Sequence, residues 1–479
     1  MSSRVQTATS RRWADLPGPQ GWPVLGNYPQ IDFRAFHAQL ETFAERYGDP
    51  CRINLGPNRF MITGDLDIAQ RLLKERPEHF TRRANLTRVF AELGFNGLFS
   101  AEDEDWRRQR RVVITALNSA HLHSFFPALR ATTARLQARW QRAAAQGTAV
   151  DLPRELMRYT VDVTTQLAFG IDFNTLETDG HVIQDDLDHV FPMLNRRLGA
   201  PFPYWRWLRL PQDRALDAAV TSVQRRIGEI IAECRARLAA DPARRAAPVN
   251  FLEAMIVAQE VEQVPFSDQD IVANVFTLLL AGEDTTANTL AWAMKLFIDH
   301  PAAFAAVRAE VDAALGEDTL APDHACLDHL PQLEAFANET MRLKPVAPII
   351  VFEAREPTVL GDVSLEAGTG IILLTRRLAT RPEHFDHPAQ FDPERWLRTH
   401  RAEGCPHNPR AFLPFGGGPR FCPGRNLALL EIRMVLAMVC RNFDLALAQP
   451  ARPVREDFSF TMGPADLEVR FRPRAQTQR

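Results

Sequence analysis

Phe415-Gly-Gly-Gly-Pro-Arg-Phe-Cys-Pro-Gly424 is the stretch on which the reading of this chain turns. A single cysteine, Cys422, sits in a loop punctuated by glycine and proline. The run that follows, Arg425 to Val439, carries apolar residues at helical spacing. Unpaired N–H groups at a helix start carry the positive end of the dipole and favour a thiolate over a thiol. Arg420 adds positive charge two residues earlier. Gly416, Gly417, Gly418 and Gly424 leave room for the backbone to approach something flat and close. The plain alternative is a buried loop thiol, and the company Cys422 keeps argues against it. A dinucleotide fingerprint fails because Phe421 occupies its third glycine position. A zinc knuckle fails because the nearest cysteines, Cys405 and Cys440, are too far away. Cys422 reads as a metal ligand.

The 479 residues are 46% hydrophobic and 24% charged, a large globular composition. The net charge of −3 implies no general attraction to nucleic acid or membranes. The six cysteines follow no disulfide framework and fit reduced thiols in a cytoplasmic protein. No apolar run is long enough to span a bilayer, and the polar first twelve residues lack a signal-peptide core. Residues 1–12 are expected to form a disordered tail and residues 13–479 a single domain, since no repeat or linker divides the chain.

Leu16 to Asn27 reads as a proline–glycine hinge. Helical spacing runs through Phe33 to Tyr47, and Asp67 to Glu75 reads as a short helix. Cys51 to Leu55 and Phe60 to Thr63 flank a turn and read as a hairpin. Arg82 to Ser100 reads as a loop. Further helices are expected from about Asp105, then over 128–147, 152–170 and 215–238, with an aromatic cluster, Pro201 to Trp207, between the last two. Lys344 to Ile350 must run extended because of its prolines. Val359 to Leu365 and Thr369 to Leu374 read as short strands, and Phe458 to Phe471 as a hairpin. His384, His387 and His407 are expected at the surface, with no metal spacing.

Ser267-Asp-Gln-Asp270 is a helix start with an acid three residues on. Apolar residues then continue to Ile298, which predicts a buried helix of about 32 residues, roughly 48 Å long. Its centre is Ala281-Gly-Glu-Asp-Thr-Thr286. A buried helix has no structural reason to gather glycine, two acids and two threonines. Gly282 costs about 1 kcal/mol against alanine, and Thr285 can bond back to the carbonyl of Ala281.

Taken together, four ordered motifs resemble the cytochrome P450 family over Leu16 to Phe471. Phe415, Gly418, Arg420, Cys422 and Gly424 match its haem-binding signature. Ala281, Gly282, Asp284 and Thr285 match its oxygen-binding groove. Trp106 and Arg110 match its propionate-binding pair, and Arg107, Arg108 and Arg111 are left between a solvated face and a docking surface. Glu339, Arg342 and Arg395 match its buried ion triad, a structural element that holds the cysteine loop. The resemblance implies a mainly α fold with small β-sheets, with haem b between the long central helix and the cysteine loop and Cys422 as the axial ligand of the iron.

It further implies a soluble bacterial-type monooxygenase that inserts one oxygen atom from O2 into a small to medium apolar substrate. Thr285 would hydrogen-bond dioxygen and Asp284 relay protons. Phe99, Leu278, Ala281, Ala347, Ile349 and Met462 would line the pocket, and the aromatic cluster would cap it. One departure is Val351, where many members carry an arginine for a propionate; Arg355 is shifted. Only 479 − 422 = 57 residues follow Cys422, so electrons are expected from a separate ferredoxin or flavodoxin with an NAD(P)H-dependent reductase. Two other readings keep the cysteine: a peroxide-driven or rearranging enzyme of the same fold, and a non-catalytic haem-binding protein.

Overall fold

The computed structural model describes residues 10–178, 182–200, 202–261, 265–398 and 407–474. They sort into two compact units whose segments alternate along the chain. The first comprises Met1–Thr87, Ala347–Ala389 and His407–Cys422, and the second Arg88–Val346, Gln390–Pro406 and Pro423–Arg479.

Period-two alternation builds the first unit. Cys51–Leu55 and Asn58–Thr63 form the expected hairpin, turning at Gly56 with φ +57°. Gly370–Leu374 adds in parallel beside Asn58–Thr63, and Ile349–Ala354 and Phe80–Thr81 complete a five-stranded sheet. One face buries Ile53, Ile62, Ile372 and Leu374 against Leu40 and Ala44 of the helix Phe36–Tyr47. A smaller sheet corrects the expectation of a disordered tail. Residues 1–9 lie outside the described residues, but Arg11–Arg12 pairs in parallel with Val363 and Ser364. Arg11 is anchored there by two bonds to Asp362, at 2.8 and 3.0 Å. His407 is a second correction: it is buried and stacked on Phe385, with ring centroids 5.0 Å apart.

The second unit is mainly helical, and its helices are longer than proline and polar punctuation suggested. The helix expected from residue 128 spans Ser119–Gln146, capped by Asn118, whose side chain accepts from the His121 amide. Pro127 lies inside it. A proline there costs roughly 3 kcal/mol, and burial of Phe125, Phe126 and Leu129 around it offsets that. The stretch read as a loop contains the helix Ala84–Glu92, which buries Val89 and Phe90. Nine residues are marginal alone, so this helix depends on tertiary burial. The C-terminal strands also differ from expectation. Arg455–Phe458 pairs with Met462–Ala465, while Glu468–Pro473 joins Phe443–Leu447 and Val150–Asp151 in a separate sheet. Among the described residues no helix is long and apolar enough to cross a membrane.

An ion cluster ties the helix Pro331–Leu343 to the short helix Glu394–Leu397. Arg342 grips Glu339 with two bonds, at 2.8 and 2.7 Å, and Arg395 reaches the same carboxylate at 3.2 Å. The Trp396 indole and the Asp392 amide also donate to Glu339, at 2.9 and 2.8 Å. All three charged side chains are buried. Glu339→Ala would leave two buried guanidinium groups without their carboxylate. It should lower the free energy of unfolding by about 3–5 kcal/mol, read from the urea midpoint at constant slope.

Candidate active site

The long helix spans Asp268–Asp299 and opens with a reciprocal cap. The Ser267 hydroxyl accepts from the Asp270 amide at 3.2 Å, and the Asp270 carboxylate accepts from the Ser267 amide at 2.7 Å. Asp270 also receives Arg108 at 2.7 Å, so that arginine braces the helix start. Arg107 pairs with Glu104, and Arg111 is exposed.

The helix is buried at both ends of its central third, yet one row stays open. Leu278, Asp284, Thr285 and Asn288 are only partly buried, and Ala281 is exposed. Positions 278, 281, 285 and 288 fall on one helical face. On that face the Thr285 hydroxyl donates to the Ala281 carbonyl at 2.7 Å, and Thr289 donates to the Thr285 carbonyl at 2.8 Å. A third carbonyl is claimed from outside: Thr160, on the helix Leu152–Phe169, donates to Glu283 at 2.9 Å. Side-chain hydroxyls thus reach the carbonyls of Ala281, Glu283 and Thr285, in competition with the backbone ladder at this point.

Gly282 is explained differently from the sequence reading. A Cβ there would stand 2.8 Å from the Thr164 hydroxyl oxygen of the neighbouring helix. Gly282 therefore lets two helices meet closely, and its open side is filled by Thr164 rather than by a cofactor. Ala281, one residue earlier, is the groove residue that faces open space.

Burial pushes the Asp284 carboxyl up to about 6. A group poised near neutral pH can both take up and release a proton, as a general acid must.

Phe99 is placed by its neighbours. Phe95 stacks on Phe276 of the long helix with centroids 3.6 Å apart, and the Leu98 amide donates to Asn274 at 2.9 Å. Gly97 lies so close to this helix that a Cβ would sit 2.3 Å from the Ala273 carbonyl oxygen. Partly exposed Phe99 then packs between Phe90 and Phe460, each 5.7 Å away. Met462, expected to line the pocket, is fully buried instead. In the observed register Phe458 pairs with Met462, so the turn is 459–461, with Ser459 exposed, Thr461 buried and the aromatic Phe460 partly exposed. The sequence reading missed Phe460 because it ran the hairpin through to Phe471.

In the first unit the cysteine loop folds back on itself. The Cys422 amide donates to the Phe415 carbonyl at 3.0 Å, and Gly418–Arg420 makes one 3-10 turn. Gly418 has φ +65°, and a Cβ on it would stand 2.0 Å from the Leu73 carbonyl oxygen. That glycine answers to the helix Leu66–Lys74. Cys422 and Arg420 are partly exposed and Phe415 is partly buried. Ala347 is exposed, its carbonyl accepting from Thr375 at 2.7 Å. Ile349 and Val351 share the strand face packed on the core cluster, which corrects Ile349 as a pocket residue: a strand's period of two puts Ile350 on the other face. Arg355 is exposed and donates to the Pro77 carbonyl at 3.2 Å.

Gly424 caps the helix Arg425–Asn442, whose first turn contains no acid. In the second unit Trp106 is buried and Arg110 partly buried, one turn apart on the helix Asp103–Ala116.

The cysteine loop of the first unit fits a haem group. Cys422 forms no disulfide, and among the described residues no set of three His, Cys, Asp or Glu could hold a bare metal ion. A lone thiolate suits an iron whose other ligands come from a macrocycle. Burial raises the Cys51 thiol to about 12 and Cys234 to about 11, and pushes Cys440 up as well, so these stay protonated.

A family model described as Cytochrome P450 matches residues 16–471. Cyclooctatin synthase of Streptomyces melanosporofaciens is 28% identical over 467 residues, covering 96% of each chain. Cyclooctat-9-en-7-ol 5-monooxygenase of the same organism is 28% identical, covering 91% of this chain and 90% of that one. The crystal structure of the cytochrome P450DA haem domain superposes with a TM-score of 0.84 at 24% identity, covering 96% of this chain and 98% of that one.

The raised Asp284 carboxyl yields a signed prediction. With a folded value of about 6 against an ordinary 3.8, the penalty for its charge is absent below about pH 4. It grows between the two values and is complete above pH 6. Asp284→Asn should therefore raise Tm by about 1–3 °C near pH 7.5, a gain that disappears towards pH 4 in melting curves across that range.

Proposed function

This chain belongs to the cytochrome P450 family of haem-thiolate monooxygenases, and on that premise we propose what its own residues do. It inserts one oxygen atom from O2 into a small to medium apolar organic molecule, with electrons supplied by a separate redox protein. The observation that carries this is the open row on the long helix, where Ala281, Asp284 and Thr285 stand accessible in an element otherwise buried.

Cys422 would hold the haem iron, and Arg420, Trp106 and Arg110 would receive its propionates. When bound, the group would supply oxygen activation, which a thiolate ligand favours by its electron donation. The chain's part is proton delivery and orientation. Asp284 takes protons from solvent at a carboxyl poised near 6. The Thr285 hydroxyl, whose proton goes to the Ala281 carbonyl at 2.7 Å, would pass a proton inward by turning from that bond. An acid–alcohol pair favours dioxygen with electrons over peroxide as the oxidant. Leu278, Ala281, Phe99 and Phe460 present apolar surface and limit water, which selects an apolar substrate.

The electron donor has a candidate docking surface in the first unit. A concavity of about 620 Å³ is lined by Lys74, Arg410 and the 417–419 stretch of the cysteine loop. Lys74 and Arg410 are exposed, so this rim suits an acidic ferredoxin or flavodoxin.

Two variants test the reading. Cys422→Ala should lose the carbon monoxide absorption characteristic of thiolate-bound haem iron, and a variant that keeps it refutes the ligand assignment. Thr285→Ala should divert reducing equivalents to hydrogen peroxide and lower product per NAD(P)H by about tenfold or more. Unchanged coupling would count against a proton-handling role.

A further inference from the structure

Asn288 stands one turn beyond Asp284 on the open row of the long helix. Its side-chain amide donates to the Thr461 hydroxyl at 2.9 Å. Its oxygen lies against Gly463 so closely that a Cβ on Gly463 would be 2.3 Å away. Thr461 is buried and belongs to the 459–461 turn, whose ends are fixed by the pairing of Phe458 with Met462. Trp292, one helical turn further on, donates to the Met462 carbonyl at 3.4 Å, and the Met462 amide donates to Val346 at 2.8 Å. The turn is thus fastened by backbone bonds at its strand ends and, from the long helix, by the Trp292 indole at Met462 and the Asn288 amide at Thr461. Between those fastenings the side chain of Phe460 projects to Phe99, 5.7 Å away, and Phe99 continues to Phe90 at the same distance.

We propose that Asn288 is a positioning residue that sets ligand selectivity. By clamping the 459–461 turn to the long helix, it holds Phe460 against Phe99 and so builds an aromatic wall beside the open row. That wall selects apolar ligands that present a flat ring. This rests on reading the open row as the substrate side of the monooxygenase site. The physical reasons are local. A turn whose tip carries a partly exposed aromatic ring gains from any bond that removes its freedom before a ligand arrives. An amide suits the task, because one end donates to a hydroxyl while the other lies against backbone that only glycine leaves bare. An apolar residue at 288 would leave Thr461 buried without its donor.

The test uses the full-length, haem-loaded protein with Asn288→Ala, Thr461→Val and Phe460→Ala. Two readouts are taken: amide hydrogen exchange over 459–463, and spectral titration with imidazole and with 4-phenylimidazole. Asn288→Ala and Thr461→Val should both speed exchange in the turn. They should weaken 4-phenylimidazole by roughly three- to tenfold, the range of one aromatic contact, while leaving imidazole within about twofold. Phe460→Ala should weaken 4-phenylimidazole equally, and adding Asn288→Ala to it should bring no further loss. Unchanged exchange in Asn288→Ala overturns the clamp. Faster exchange with equal weakening of both ligands, or of neither, overturns the role in selectivity. A parent protein that takes up no haem refutes the monooxygenase reading instead, and exchange over 459–463 then still decides the clamp by itself.

Discussion

The close approach of the helix Leu152–Phe169 to Gly282 is the constraint from which the geometry of the second unit follows. Thr164 occupies the space that a side chain at 282 would need, and Thr160 takes the carbonyl of Glu283. With its back packed this tightly, the long helix can leave its opposite row uncovered without losing its place. On the row itself, the hydroxyls of Thr285 and Thr289 engage the carbonyls of Ala281 and Thr285. A buried helix normally has every side occupied, and the accessible Ala281 at its middle is the exception here. Asp284 gains its poised carboxyl from burial, which draws it into low-dielectric surroundings.

Glycine carries two different messages in this chain. At Gly282, Gly97 and Gly418 the missing side chain admits another part of the protein: Thr164, the Ala273 carbonyl and the Leu73 carbonyl respectively. A reading from sequence tends to assign such glycines to a ligand, since close approach is all that a glycine reveals. The cysteine loop shows how the two are told apart. Gly416 and Gly418 both have positive φ, +70° and +65°; Gly418 also needs the room that a Cβ would take from Leu73, whereas no described residue apart from the chain neighbours lies within 4 Å of the Cβ position at Gly416. Of these two, Gly416 is the one with open space before it.

Much of the fold was legible because the relevant signals are local. The capping box at Ser267 and Asp270 marks its helix start to the residue. The hairpin at Gly56 and the spacing of the helix Leu152–Phe169 were likewise plain. The failures have physical causes. Pro127 hid nine residues of helix because propensity was weighed without the burial of Phe125, Phe126 and Leu129. The helix Ala84–Glu92 is too short to announce itself and exists because Val89 and Phe90 are covered. The C-terminal strands alternate continuously, and alternation does not say which partner a strand takes.

What the sequence by itself determined is chemical identity: one cysteine in a glycine-rich loop, an acid beside an alcohol in the middle of an apolar helix, and a glutamate with two arginines. Those choices follow from residue type and local spacing, and their resemblance to the cytochrome P450 motifs is what indicated a haem-thiolate oxygenase. Tertiary structure alone decided which of the apolar candidates face space. Met462 is buried and Phe460 is not, because strand register shifts the turn. Ile349 packs on the sheet's core while Ala347 stands exposed. Asn288 became visible only when Thr461, far away in the chain, was brought to 2.9 Å from it. Exposure depends on what comes to lie against a side chain, and that is set by contacts between residues distant in sequence.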